Sequence, residues 1–337
     1  MAKSILFRTD ANSTIGWGHF YRSLALAQML APQFNISFAV ADPAPEIKNI
    51  LKKNEFGLIV LPVLNYTSPD DRGVREFECD LTGLLNEIDI VVVDGYWFKG
   101  KFLDGLRNEN VKIAVIEDNG RGTYNADLII NHAPGVTKAK YLTPHNCTFM
   151  LGADFTLLRP AFLQAARDRP LLKIDTDDIL ISFGGADEHG FGLKTAKQVL
   201  RFTKYSVHLI ISPAHPDFGN VEKLSALNPD RIRTSANLSE EQMMDAMLQS
   251  RGAVVPASTL LLECIALGLP VISGFCMSNH KRIYLGFRKM NAFIDAGNFN
   301  LNSIKAALRQ IEGFIPTRVI DGNSSHRYLS EFTRLAR

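Results

Sequence analysis

The sequence predicts an α/β protein built from two Rossmann-like, doubly wound parallel-sheet domains facing a cleft. Three observations predict it. Short, apolar, β-rich runs alternate with longer helical patterns through nearly the whole chain, the mark of βαβ units. Two of those runs, "IDIVVVDGY" and "VKIAVIEDNG", lack polar alternation, as strands covered on both faces do. And 337 residues, 46% of them apolar and 21% charged, suffice for two packed cores at roughly 100 to 200 residues per domain.

In the first half, strands are expected at 4–8, 35–40, 57–61, 88–93, 111–116 and 127–131, with helical patterns between them such as 21–30 and 99–107. From residue 152 the alternation breaks into "GADFTLLRPAFLQAARDRPLLKIDTDD", which mixes prolines with both signs of charge. It restarts with strands at 178–183, 206–211, 231–234, 252–255 and 270–273 and helices at 193–202, 240–249 and 259–267. The stretch "SSHRYLSEFTRLAR" reads as an amphipathic helix suited to packing back on the first domain. The expected organisation is therefore a first domain 1–160, a linker 161–177, a nucleotide-binding domain 178–320 and a C-terminal helix 321–337. A cleft at the carboxyl ends of such strands is the usual place for a nucleotide.

Lys plus Arg number 37 against 35 Asp plus Glu, so no global field recruits nucleic acid or an acidic membrane, and any anion site is local. Cys79, Cys147, Cys264 and Cys276 have no C-x-x-C spacing and read as free thiols of a reducing compartment. The opening "MAKSILFRTD" is too short in apolar residues for a signal-peptide core. No window approaches the ~20 apolar residues of a membrane span. A cytoplasmic protein is expected.

Five stretches at the carboxyl ends of expected strands carry candidate chemistry. In "TDANSTIGWGHFYR", Gly16 and Gly18 permit backbone conformations that a Cβ disfavours. A helix opens near His19, so its free N–H groups and positive dipole end face the strand-end crevice, where a phosphate fits. That dipole end disfavours an imidazolium, which makes His19 a candidate neutral base. Tyr21 stands where G-x-G-x-x-G has its third glycine, so the stretch equally suits a tight turn with His19 capping a helix. "ILISFGGADEHG" offers Gly184 and Gly185 for a phosphate or for a plain βα turn, while Asp187 and Glu188 oppose a bare phosphate at their own side chains. "VVPASTLLLECIALGLPVISGF" leads into Ser258 and Thr259, expected caps, and a helix apolar almost all round. Its one acid, Glu263, needs a partner if buried, and ribose hydroxyls or a basic side chain both serve. "CMSNHKRIYLGF" sets Asn279, His280, Lys281 and Arg282 at a helix start, where cations oppose the dipole unless an anionic ligand compensates; a solvated face is the other reading. "VVVDGYWFKG" ends a buried strand at Asp94, with Tyr96 at the same edge as His19 or on its rim.

At these residues the chain resembles the nucleotide-sugar hydrolases of the pseudaminic acid pathway, relatives of the GT-B glycosyltransferases that handle UDP-N-acetylglucosamine. "FRTDANSTIGWGHFYRSLALAQML" is similar to the family's opening R-x-D-A-x-x-x-I-G-x-G-H-x-x-R segment, and "IEDNGRGTYNADLIIN" to its D-D segment followed by A-D-L-L. "LGADFTLLRPAF" resembles its L-G-x-x-Y-x-L-L-R-P-x-F, "ILISFGGAD" its V-S-F-G-G-x-D, and "STLLLECIALGLP" its Ser-Thr, Glu, Leu-Gly-x-Pro segment. The resemblance covers most of the chain and implies a GT-B-like fold. It implies a catalytic histidine at His19, a tyrosine near the sugar at Tyr96, a ribose-binding acid at Glu263 and an active-site asparagine at Asn279. Asp10, Gly16, Gly18, Arg22, Gly184, Gly185, Ser258, Thr259 and His280 are the further expected contacts to substrate and UDP. The chain departs from the family with Pro256-Ala257 in place of Gly-Gly and with Asn279-His280 in place of Asn-Gln.

The activity so implied is hydrolysis of a UDP-linked 2,4-diacetamido-2,4,6-trideoxy sugar in pseudaminic-acid-type nonulosonate biosynthesis. Water deprotonated by His19 attacks the anomeric carbon, and UDP leaves with its charge held by helix N-termini. No cofactor or metal is expected. The alternatives are a GT-B glycosyltransferase of surface polysaccharide biosynthesis, with His19 deprotonating an acceptor hydroxyl, and a non-catalytic nucleotide-sugar-binding protein.

Overall fold

Runs of β-branched residues and the helices between them build two parallel sheets in the computed structural model. The structure describes residues 2–12, 15–65, 77, 79–169, 176–184, 187, 189–278 and 280–337. The chain divides into two units, Met1–Pro160 with Asn323–Arg337, and Ala161–Gly322.

The first unit carries β1 (Lys3–Thr9), α1 (Gly18–Leu30), β2 (Phe34–Ala41), α2 (Pro45–Lys53), β3 (Gly57–Leu61), β4 (Ile90–Asp94), α3 (Lys101–Asn108), β5 (Lys112–Ile116), β6 (Gly122–Thr123), β7 (Leu128–Asn131), β8 (Tyr141–Leu142) and β9 (Thr148–Leu151). Its main sheet runs β3-β2-β1-β4-β5-β7-β9, every pair parallel. β4 is buried along its whole length, which is why "IVVVD" shows no polar alternation. The winding reverses between β1 and β4, so the connections leaving these two strands part and open a crevice at their carboxyl ends. Thr9 lies in register with Asp94, and Asp94 with Ile116, so three strands end level there.

Residues 161–168, read from sequence as the start of a linker, belong to a helix, α4 (Pro160–Asp168), that buries Phe162, Leu163, Ala165 and Ala166. The second unit continues with β10 (Asp178–Ser182), α5 (Phe191–Phe202), β11 (Ser206–Ile210), α6 (Phe218–Leu227), β12 (Ile232–Ser235), α7 (Glu240–Leu248), β13 (Gly252–Pro256), α8 (Thr259–Leu267), β14 (Val271–Gly274), α9 (His280–Lys289), β15 (Ile294–Asp295) and α10 (Leu301–Leu308). Its sheet, β12-β11-β10-β13-β14-β15, is also wholly parallel and reverses between β10 and β13. Ile179, Ile181, Val207 and Ile272 of the sheet pack with Leu193, Ala196 and Ile304 of the helices as its core.

Beyond the second unit, α11 (Ser324–Leu335) returns to the first and packs on α1. Ser324, Tyr328, Phe332 and Leu335 form its buried stripe. The Tyr328 hydroxyl donates to the Phe155 carbonyl at 2.7 Å. Among the described residues no helix is long and apolar enough to cross a membrane.

Candidate active site

Three strand ends of the first unit gather one charged cluster. After β1 the Asn12 carbonyl accepts the Gly16 N–H and its side chain accepts the Ile15 N–H, each at 2.9 Å. Gly16 stands at φ +75, a conformation strained for any residue with a Cβ; Gly18 opens α1. His19 and Arg22, three apart on that helix, share a face that meets Asp94 at the end of β4. His19 Nδ1 lies 2.6 Å from Asp94 Oδ1. Arg22 forks onto the same carboxylate, donating from Nε to Oδ2 and from Nη2 to Oδ1, both at 2.6 Å. Its Nη1 donates to Asp118 Oδ2, two residues past β5, at 2.9 Å. Tyr96 donates its hydroxyl to the same Asp118 oxygen at 2.9 Å, and its ring meets that of His19 edge to face, 4.8 Å between centres.

Two carboxylates thus face one guanidinium. Burial alone would raise the Asp94 and Asp118 carboxyls, but Arg22 and His19 outweigh it and hold both below the ordinary carboxylate range. Burial likewise opposes the Arg22 charge, and the two aspartates more than offset it. The Tyr96 phenol is pushed far up by burial, with Asp118 adding to the effect, so it remains a neutral donor. Asp94 as an anion can only accept, so the 2.6 Å contact calls for the His19 tautomer that donates from Nδ1 and leaves a lone pair on Nε2, with Arg22 Nη2, 3.0 Å from the same Nδ1, donating to Asp94 instead. The cluster carries one net negative charge with His19 neutral and becomes neutral when His19 accepts a proton.

Of the residues expected from sequence, His19, Arg22 and Tyr96 are brought together here. Asp10 accepts Arg8 Nη1 and the Ala41 N–H, both at 2.6 Å, and is only 2% exposed. It ties β1 to β2. Asp118 was not singled out from the sequence, nor were Glu117 and His132. Glu117 accepts from the Tyr141 hydroxyl, from Asn131 Nδ2 at 2.7 Å and from the Gly120 N–H at 2.9 Å, and so fixes the turn that carries Asp118. The signal that finds them is a polar residue directly after an apolar strand run, as in "AVIED" and "LIINH".

In the second unit Gly184 follows β10 at φ +80; Gly185 and Asn279 lie outside the described residues. The Asp187 carboxylate accepts the Phe191 and Gly192 N–H groups at 2.8 and 2.7 Å, so the start of α5 already holds an anion. The start of α8 differs. Ser258 stands at its N-cap, but against expectation its side chain makes no cap bond, and Thr259 is the first helical residue. Both are partly exposed, while Glu263, one turn on, is 2% exposed. Gly184 and Ser258 follow β10 and β13, the strands that flank the reversal. His280 opens α9 with Nδ1 3.5 Å from Cys276 Sγ. Burial pushes His280 down to about 4 and Cys276 up to about 11, so both are neutral near pH 7.

The fold is GT-B-like, an α/β fold of two such sheets. Over 98% of its length the chain is similar to MurG of Acinetobacter baumannii, with a TM-score of 0.63 at 13% identity and 99% of that chain covered. Over 99% it is similar to S. aureus MnaA, solved with UDP, at a TM-score of 0.62, 14% identity and 98% coverage of that chain. In sequence it is similar to the UDP-2,4-diacetamido-2,4,6-trideoxy-beta-L-altropyranose hydrolase of Campylobacter jejuni, 25% identical over 268 residues, 78% of this chain and 88% of that protein. It is 24% identical over 294 residues to the spore coat polysaccharide biosynthesis protein SpsG of Bacillus subtilis, covering 86% and 82% of the two chains. An uncharacterized protein of Methanocaldococcus jannaschii is 24% identical over 333 residues, 90% of this chain, which spans 64% of that relative's length. No family model matches. The resemblance carried by the motifs is borne out in sequence by the Campylobacter jejuni hydrolase and SpsG and in fold by MurG.

Proposed function

We propose that this chain is a nucleotide-sugar-processing enzyme of sugar biosynthesis, and that it hydrolyses a UDP-linked 2,4-diacetamido-2,4,6-trideoxy sugar in pseudaminic-acid-type nonulosonate biosynthesis. The observation that carries the reading is the His19–Asp94 pair at 2.6 Å, set where the first sheet reverses and α/β proteins place their ligands. His19 Nε2 takes a proton from water as the oxygen attacks the anomeric carbon, the bond from that carbon to the diphosphate oxygen breaks, and UDP leaves. Asp94 compensates the imidazolium, and Arg22 with Asp118 keeps Asp94 in place. In the second unit the first N–H groups of α8, with the Ser258 and Thr259 hydroxyls, take the diphosphate. Gly184 lets the backbone approach it, and Glu263 accepts from the ribose hydroxyls. Of the two helices that follow the strands flanking the reversal, α5 has its start closed by Asp187, whereas the start of α8 has no side-chain cap bond. Asn279 and His280 belong to the sugar contacts. The name of the Campylobacter jejuni relative supports hydrolysis.

A fold likeness to a UDP-glucosyltransferase of Polygonum tinctorium, at a TM-score of 0.65 and 12% identity, supports a second reading, in which His19 deprotonates an acceptor hydroxyl. Incubation with the UDP-sugar in ¹⁸O-water without an acceptor separates the two. Hydrolysis at carbon releases unlabelled UDP and puts the heavy oxygen into the sugar. UDP release only after an acceptor is added makes the chain a transferase, and binding without turnover makes it a non-catalytic binder.

A further inference from the structure

The proposed reaction leaves one histidine of the cluster unused. His132 directly follows β7, which pairs with β5 so that Ile130 lies opposite Ile116 and the Glu117 N–H donates to the Ile130 carbonyl at 3.0 Å; His132 therefore leaves the sheet level with Asp118, is 6% exposed, and is within the electrostatic reach of Arg22, Asp118 and Asp94. Its Nδ1 accepts the backbone N–H of Leu157 at 3.2 Å. A ring nitrogen that accepts carries no proton, so the neutral ring holds its proton on Nε2, at the opposite edge. Leu157 is itself buried, and the ring orientation is fixed with it. Burial and then Arg22 oppose a second proton and outweigh the two aspartates, which brings His132 down to about 4. The ring therefore has one donor to offer and no acceptor, and it is no base.

We propose that His132 is a specificity-determining residue of this site, presenting its Nε2–H to the carbonyl oxygen of an acylamino group on the sugar. The proposal rests on the nucleotide-sugar reading above. A group that only donates matches a group that only accepts. A sugar hydroxyl brings a proton of its own and is served as well by a carboxylate such as Asp118, whereas an amide carbonyl is served by donors alone. A site built around a fixed donor discriminates against analogues that lack the matching acceptor, because its own buried polar group is then left unpaired.

The test compares wild type, His132→Phe and His132→Gln in calorimetric titrations with UDP, UDP-glucose and UDP-N-acetylglucosamine, beside ¹⁵N NMR of the histidine rings. Wild type is expected to bind UDP-N-acetylglucosamine more tightly than UDP-glucose. His132→Phe loses roughly 5- to 30-fold for the acylamino sugar alone, His132→Gln recovers most of it through its amide donor, and UDP affinity is the same in all three. The His132 ring shows the Nε2–H tautomer and does not titrate down to pH 5. An unchanged preference in His132→Phe overturns the proposal, as does an Nδ1–H tautomer. Equal weakening of UDP and both sugars overturns it too, by making His132 a prop for Leu157; should the phenylalanine variant not fold, the glutamine variant and the ring NMR decide. Wild type binding none of the three nucleotides instead refutes the nucleotide-sugar reading, and this proposal with it.

Discussion

Replacing Asp94 with asparagine keeps the size of the side chain and removes the charge on which the proposed base depends. Three contacts of 2.6 Å converge on that carboxylate, one from His19 and two from Arg22. The proton that His19 gains during water attack then lacks its nearest counter-charge. For charge centres about 4 Å apart at an effective dielectric of about 20, the loss is about 4 kcal/mol, or roughly 10³-fold in rate. Asp118 still faces Arg22 at 2.9 Å and retains part of the field, so the expected fall in acceptor-free UDP release is about 10²- to 10³-fold. UDP affinity, followed by calorimetry, stays the same. Turnover within threefold of wild type would refute the assignment of Asp94 as partner of the base. The variant also reports on stability. Because Arg22 and His19 hold the Asp94 carboxyl below its unfolded value against the opposing effect of burial, its contribution is complete above about pH 4 and is lost as pH falls through the folded value. Asp94→Asn should therefore melt well below wild type at pH 7, by up to roughly 3–5 kcal/mol of stability for a broken buried pair, and the gap should narrow in acid. A gap of equal size at pH 7 and pH 3 counts against the buried pair.

Three further variants probe the remaining assignments. His19→Ala should lower turnover by roughly 10²-fold or more, the usual size of a general-base contribution, with UDP binding nearly intact; wild-type turnover would move the base elsewhere. Glu263→Gln should weaken UDP binding by about 1 to 3 kcal/mol, since hydrogen bonds to a charged acceptor are the stronger kind, and equal affinity in calorimetry would mean that the carboxylate serves the protein fold instead. His280→Gln should change relative kcat/KM among UDP-sugars that differ in their acylamino groups while leaving UDP affinity alone, because glutamine replaces a neutral ring with a flexible amide. Lost UDP affinity with an unchanged sugar ranking would put His280 at the diphosphate.

The strands were legible wherever both faces are covered. The expected run 111–116 and the observed β5 (Lys112–Ile116) differ by one residue, because a parallel strand covered on both faces writes itself as a run of apolar residues without alternation, here Ile113–Ile116. β9 (Thr148–Leu151) was missed: it lies at the sheet edge, is partly exposed at three of its four residues, and carries no such run. β15, two residues long, is too short for any periodicity. The same division holds for the site. His19 and Arg22 sit within one helical turn and were legible as a motif, but Asp118 is 96 residues from Arg22 and is joined to it only by the order of β1, β4 and β5, which local sequence does not encode. Asp10, expected at the substrate through the family's opening R-x-D-A motif, pairs with Arg8. That it shares one face of an extended run with Arg8, two residues earlier, was the sign that the two would pair.

The return of α11 to the first unit makes that unit discontinuous along the chain. The helix that carries His19 is backed by a helix synthesised only after every residue of the second unit, and Tyr328 and Phe332 fill the space behind it with no exposed surface. During synthesis the first sheet can pair early, yet α1 stays uncovered on one side until Asn323–Arg337 has followed, so the second unit is made and free to fold in the interval. A fragment ending at Pro160 would keep His19, Arg22, Asp94 and Asp118 in its sequence but would expose the apolar back of α1 to water, and precipitation or a search for another apolar partner is its expected fate. The proposed base is thus the first part of the site to be translated and the last to be secured.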